Sequence, residues 1–216
     1  MTAVLAVLAG YLLGSIPTAV WVGKSFFNID IREHGSKNAG ATNTFRVLGK
    51  PAGSFVFAVD VIKGVLPVML VYFFADSSEV EPFALYKILA GVAAVVGHVL
   101  PLYAGFKGGK GVATSFGVLL AIAPLSATIC LFIFLLVWFA FNYVSLGSIT
   151  AAFFFPLIQY FLYPNQPISI FIFALAMSVL VIFAHKKNIA RLRQGIETKT
   201  YPFRTRESSN NAPLDN

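Results

Sequence analysis

"VATSFGVLLAIAPLSATICLFIFLLVWFAF", residues 112–141, runs for 30 residues without a charged side chain. About 20 apolar residues cross the ~30 Å of bilayer hydrocarbon, so the stretch is long for one span and short for two. Pro124 stands near its middle. A proline inside a helix removes a backbone hydrogen bond and clashes with the preceding turn, so it breaks or kinks the helix. The number of membrane passages turns on how that break is read.

The remainder of the chain sets the frame. Of 216 residues, 57% are hydrophobic and 12% charged, with 22 phenylalanines and a mean hydropathy of +0.78. A soluble domain carries roughly 25% charged residues, so the composition is that of an integral membrane protein. Further apolar segments lie at 3–23, 53–75, 83–104, 149–163 and 168–185. No basic residue precedes the first, so a retained span rather than a signal peptide is expected. The single cysteine, Cys130, leaves no disulfide framework and no cysteine metal site. The net charge of +7 fits cytoplasmic loops and anionic substrates or lipids, not nucleic acid.

Basic loops stay in the cytoplasm. The 24–50 loop holds Lys24, Arg32, Lys37, Arg46 and Lys50 against Asp30 and Glu33, the 105–111 loop holds Lys107 and Lys110, and the tail after His185 is basic. The acidic 76–82 loop falls outside, and the N-terminus with it. Gly111 and Lys186 then share one face, which requires an even number of crossings between them. Two short spans meeting at Pro124, followed by 149–163 and 168–185, give seven transmembrane helices, the preferred reading. One tilted helix over 112–141 plus a single crossing in 149–185 gives five, the alternative. Either way the fold is all-α and polytopic, a single membrane domain over 1–206 with a polar, disordered tail at 207–216.

Three polar motifs fall on one predicted face. "GFKGGKGVATS" (105–115) combines glycines, whose backbone N–H groups approach an anion closely, with a lysine. It is not a nucleotide P-loop, because Lys110 and Gly111 stand where that motif needs glycine and lysine. "GSKNAGATN" (35–43) repeats the grammar, and Arg46 adds a bidentate fork for phosphate. "NYVSLGS" (142–148) brings Ser145 and Ser148 to a helix start, where either serves as a cap or an anion contact. Asp60 and Lys63 share a helix face inside a span and read first as a structural ion pair. His185 and Asn188 lie one turn apart at the cytoplasmic edge.

No histidine opens an His-x4-Asp acyltransferase motif, since Ala39, Tyr103 and Ala190 occupy the aspartate positions. Neither a Ser-His-Asp order nor a carboxylate pair nor a metal cluster is evident. An enzyme built this way works by positioning and charge neutralisation on an activated substrate. A different class, a transporter of a small phosphorylated anion, is the rival. It would line a midplane pathway, whereas these motifs gather at one face.

The stretches "LLGSIPTA" (12–19), "GSKNAGATNTFRVLG" (35–49), "DVIKG" (60–64), "GHVLPLYAGFKGGKGVATSFG" (97–117) and "SLGSI" (145–149) resemble the acyl-phosphate:glycerol-3-phosphate acyltransferase family of bacterial membranes (PlsY). The likeness covers nearly the whole chain, in order. It implies seven helices, cytoplasmic active-site loops in the inner membrane, and transfer of a fatty acyl group from acyl phosphate to the 1-hydroxyl of sn-glycerol 3-phosphate. The products would be lysophosphatidic acid and inorganic phosphate, the first step of phospholipid synthesis, with no cofactor, by a monomer. By the same resemblance, Ser36, Arg46, Lys110, His185 and Asn188 would hold glycerol 3-phosphate. Thr42, Ser148, Lys110 and the backbone of Gly108 and Gly109 would neutralise the leaving phosphate, and Asn38 and Asn43 would support the first loop. Ser148 is favoured over Ser145. Direct attack without an acyl-enzyme is expected.

Overall fold

The computed structural model describes residues 3–76 and 78–201, and the tail expected at 207–216 lies outside them. Ten α-helices follow one another among the described residues: α1 (Ala3–Gly14), α2 (Thr18–Phe27), α3 (Ala41–Leu48), α4 (Lys50–Phe74), α5 (Val80–Val99), α6 (Val112–Ile122), α7 (Pro124–Phe141), α8 (Val144–Leu162), α9 (Ile168–Ala184) and α10 (Lys186–Arg193). Large exposed side chains such as Phe73, Phe132, Phe161 and Phe183 stud the outer surface, as a lipid-facing bundle requires.

The break at Pro124 is real: α6 ends at Ile122, and Pro124 takes the first turn of α7, where its missing N–H is no loss. The expectation of seven spans is not met on length. Five helical stretches among the described residues are long and apolar enough to cross, namely 3–27, 50–74, 82–104, 124–141 and 144–162, and a sixth counts if α9 and α10, bent by 57°, are taken together. The number five fits, but not by the route the five-span alternative assumed, because 112–141 is two helices. The 11 residues of α6 rise about 16 Å, roughly half the hydrocarbon thickness.

Close contacts fix how the helices cross. A side chain at Gly10 or Gly14 of α1 would strike the backbone of Ala90 or Ala94 of α5. On α4 and α6, Gly64 meets the Thr114 carbonyl and Gly117 meets that of Val61. Without a hydrophobic force between helices in lipid, such small-residue contacts supply the van der Waals packing. Val68, Val95, Val118, Phe155, Phe173 and Met177 fill the core between α4, α5, α6, α8 and α9.

The first span is broken between Gly14 and Thr18. The opened Ile16 carbonyl accepts from Lys63 Nζ at 2.8 Å, and Lys63 pairs with Asp60 Oδ1 at 2.8 Å. Asp60 also accepts from Thr18 Oγ1 at 3.4 Å. The ion pair expected from sequence thus serves a second purpose, tying α4 to the break in the first span, where Lys63 is a second donor to the Ile16 carbonyl beside Thr18 N–H at 3.0 Å.

Candidate functional site

The N-terminal ends of α3, α6 and α8 and the junction of α9 with α10 meet around a cavity of about 580 Å³. Of the residues expected from sequence, Ser36, Asn38, Thr42, Asn43, Arg46, Lys110, Ser148, His185 and Asn188 all line it. Gly108 and Gly109, the glycines expected to neutralise a phosphate, are not part of its lining. Their amides are already spent, Gly108 N–H on Val99 O at 3.2 Å and Gly109 N–H on His98 O at 3.1 Å. The loop is folded back on the end of α5, and it presents Lys110.

The first loop is held from within by Asn43, which is 1% exposed. Its amide donates to Ile31 O and His34 O, each at 3.0 Å, while its Oδ1 accepts Ser36 N–H at 2.8 Å. Asn43 therefore ties three backbone groups of the loop together. Upstream, Asp30 caps the short turn 31–33 and pairs with Arg32 at 2.6 Å. That hydrogen bond holds the Asp30 carboxyl well below the usual range. Arg32 also donates to Ala104 O at 2.9 Å, tying this region to the Lys110 loop.

Lys110 Nζ donates to Asn188 Oδ1 at 2.5 Å. Asn188 passes the connection on, donating to Glu197 Oε1 at 2.6 Å. Glu197 also accepts from Ser145 Oγ at 2.8 Å and from Arg191 Nε at 2.6 Å. Burial would raise the Glu197 carboxyl, but these hydrogen bonds outweigh it and keep it below its ordinary value. Ser145 is thereby committed to Glu197, while Ser148, the serine favoured from sequence, returns its hydroxyl to Val144 O at 2.9 Å; both line the cavity. Both serines lie inside α8, which starts at Val144 with no side-chain cap, so neither caps it.

Burial pushes the Lys110 ammonium down to about 8, against the pull of Glu197 and aided by Arg191 and Arg46. The Arg46 guanidinium is likewise lowered by burial. His185 falls to about 4 through burial first and the charge of Lys110 second. Its Nδ1 faces Val181 O at 2.8 Å, and a carbonyl only accepts, so Nδ1 carries the proton and Nε2 keeps a lone pair. The imidazole is a neutral acceptor at pH 7.

Sequence reading missed Arg191 and Glu197. The signal available was a lone carboxylate within a basic tail. His98 is not singled out in the sequence either. The structure ties His98 Nδ1 to Thr114 Oγ1 at 3.1 Å, with Asp60 Oδ1 at 3.7 Å, beneath the Lys110 loop.

A second hollow of about 130 Å³ adjoins the first between α6, α7, α8 and α9. Its walls are almost entirely apolar, with Phe116, Leu119, Leu131, Phe155 and Met177 among them. Phe57, Val112, Ala113, Phe134 and Ser148 line both spaces. A charged chamber thus opens directly onto a greasy groove.

Residues 4–195 match the family model described as glycerol-3-phosphate acyltransferase. The chain is 44% identical over 200 residues to a glycerol-3-phosphate acyltransferase of Streptococcus thermophilus (strain CNRZ 1066), covering 89% of this chain and 91% of that one. It is 42% identical over 191 residues to one from Fusobacterium nucleatum subsp. nucleatum, covering 88% and 93%. Among solved structures, it resembles a crystal structure of PlsY (YgiH), an integral membrane glycerol 3-phosphate acyltransferase, in its glycerol 3-phosphate form. There the TM-score is 0.81 at 38% identity, over 91% of this chain and 94% of that one. The lysophosphatidic acid form of PlsY matches at TM-score 0.78 and 37% identity, with the same coverage.

Proposed function

We propose, from the premise that this chain belongs to the glycerol-3-phosphate acyltransferase family, that it transfers a fatty acyl group from acyl phosphate to the 1-hydroxyl of sn-glycerol 3-phosphate. The acyltransferase activity follows from the family, and the donor is our reading. The observation that carries the donor is the junction of cavity and groove: a chamber where, among the described residues, neither Arg46 nor Lys110 is in an ion pair, continuous with an apolar slot. Two such cations suit two phosphates, and the slot suits an acyl chain. The transport alternative is set aside, because the named relatives are acyltransferases.

In this reading Ser36, Arg46, Lys110, His185 and Asn188 hold glycerol 3-phosphate. Thr42 and Ser148, with Lys110, face the phosphate that leaves. His185 Nε2 accepts a hydrogen bond from the attacking hydroxyl and so aims it. A group with so low a basicity orients a proton better than it keeps one. The hydroxyl oxygen bonds to the acyl carbon, the carbon–phosphate oxygen bond breaks, and the proton passes to an oxygen of the departing phosphate. An acyl phosphate is a mixed anhydride, so positioning and charge neutralisation suffice. A trapped acyl-serine at Ser36 or Ser148 would sink direct attack.

We place the cavity at the cytoplasmic face of the inner membrane, with a monomer as the working unit. We read seven passages, because a single residue separates α6 from α7, and the residues flanking that pair, Lys110 and Val144, both border the cavity. An even number of passages therefore separates Lys110 from His185, as the charge pattern of the loops requires. Purified protein supplied with glycerol 3-phosphate and a long-chain acyl phosphate should release phosphate and lysophosphatidic acid in equal amounts. Phosphate alone would mean hydrolysis and a wrong acceptor.

A further inference from the structure

Ser115 lies in the apolar groove at 6% exposure, and its Oγ has no hydrogen-bond partner. Among the described residues only Ser15 shares that condition. A buried hydroxyl without a partner costs stability, so such a group calls for an explanation. The backbone around it is equally open. The first helical bond of α6 is Ser115 N–H to Gly111 O at 2.7 Å, and Gly111 caps the helix with no side-chain bond. The amides of Val112 and Ala113 therefore point out of the helix start without an intrahelical acceptor. Val112, Ser115, Phe116 and Leu119 lie on one face of α6, and that face is a wall of the groove. A helical side chain leans back over the preceding turn, so the Ser115 hydroxyl leans toward Val112.

Val112 and Ala113 line both the charged cavity and the groove. If a donor's phosphate lies by Lys110 and its chain in the groove, its carbonyl sits at that shared rim. We propose that the Ser115 hydroxyl and the first-turn amides of Val112 and Ala113 form the site that receives the acyl carbonyl oxygen and stabilises the negative charge it gains during transfer. This inference deepens the acyl-transfer reading and rests on it. When the glycerol hydroxyl adds to the carbonyl carbon, the π electrons move onto this oxygen. They return as the carbon–phosphate oxygen bond breaks, and the hydroxyl proton leaves on phosphate. The partial positive charge of a helix start favours the oxyanion.

The test compares wild type with Ser115→Ala and Ser115→Thr, in the full-length protein, by kcat, by KM for glycerol 3-phosphate and by Tm. The alanine variant should lose about 10²–10³-fold in kcat, as when one oxyanion donor is removed, with KM for glycerol 3-phosphate unchanged. Its Tm should stay level or rise, because an unpartnered hydroxyl has been deleted from a buried site. The threonine variant, which keeps the hydroxyl, should retain most of kcat. Wild-type kcat in the alanine variant, or a loss that comes as raised KM or lowered Tm, would overturn the proposal. Wild type is assayed first with acyl phosphate and with an acyl thioester. Transfer from the thioester alone removes the proposed donor, and the same variants tested with the thioester then decide the carbonyl site. Transfer from neither overturns both.

Discussion

The loop at 35–46 and the loop at 105–111 both combine glycine with lysine, and reach the same cavity by opposite means. In the first, side chains do the facing: Ser36, Asn38, Thr42 and Arg46 line the space, while Asn43 turns inward and ties three backbone groups. In the second, the backbone is consumed by bonds to the end of α5 and one side chain, Lys110, is delivered. A glycine in the second loop is there because of what lies behind it. A side chain on Gly108 would strike the His98 carbonyl, and one on Gly109 would strike the His98 ring. The lesson is that glycine next to lysine signals a loop pressed against a wall as readily as a loop wrapped round an anion.

The contrast breaks most sharply at Lys110. Lys110→Ala should reduce acyl transfer by about 10²–10³-fold, on the scale of losing one preorganised charged donor, with Tm little changed. An equal loss on alanine substitution at the exposed Lys37 would erase the distinction between the loops. Next in size is Gly109→Ala. His98 is buried and fixed by Thr114 and Asp60, so it has nowhere to retreat, and Lys110 must shift. A displacement of about 1 Å at a positioning group costs on the order of 10²-fold, and product formation reads it. An unaltered rate would show that the wall behind the loop is soft.

In the first loop the expected loss is of stability. Asn43→Ala strands the Ser36 amide and takes one donor from each of two carbonyls, which keep His34 N–H and Lys37 N–H, so it should destabilise the fold by about 1–3 kcal/mol. Thermal unfolding in detergent measures this, and a variant with wild-type Tm but poor turnover would make Asn43 a substrate contact instead. The smallest effect is on pH dependence. Lys110 holds its proton below about 8, and a phosphate needs the cation. So kcat/KM for glycerol 3-phosphate should be level up to pH 8 from this group and then fall, approaching tenfold per pH unit. Lys110→Arg, charged throughout, should remove that limb even if it is slower.

Much of this was legible before any coordinates. Charge-free runs marked the helices, and Pro124 marked the break because a proline has one comfortable place in a helix, its first turn. Side chains of the first loop were legible because chemistry and spacing were enough to gather them. Two things were hidden. The amides of Gly108 and Gly109 looked free because a sequence does not say which carbonyl lies opposite. Glu197 was overlooked because its partners, Ser145 and Asn188, stand 52 and 9 residues away, and only folding brings them to one carboxylate. The short α6 was equally hard to foresee: hydropathy counts apolar residues but not the depth each helix must cover.

The salt bridge between Asp60 and Lys63 has a consequence for how the protein is made. Both charges sit near the middle of α4, and a charged residue at a helix centre disfavours entry into lipid by about 2.5–3.5 kcal/mol on the insertion scale. Their partners, Ile16 and Thr18, lie in the first span. The second span is therefore a reluctant lodger on its own, and it is comfortable only beside the broken first one. During synthesis the two should leave the insertion machinery together, so that the bend at residues 15–17 acts as a berth for a helix not yet made.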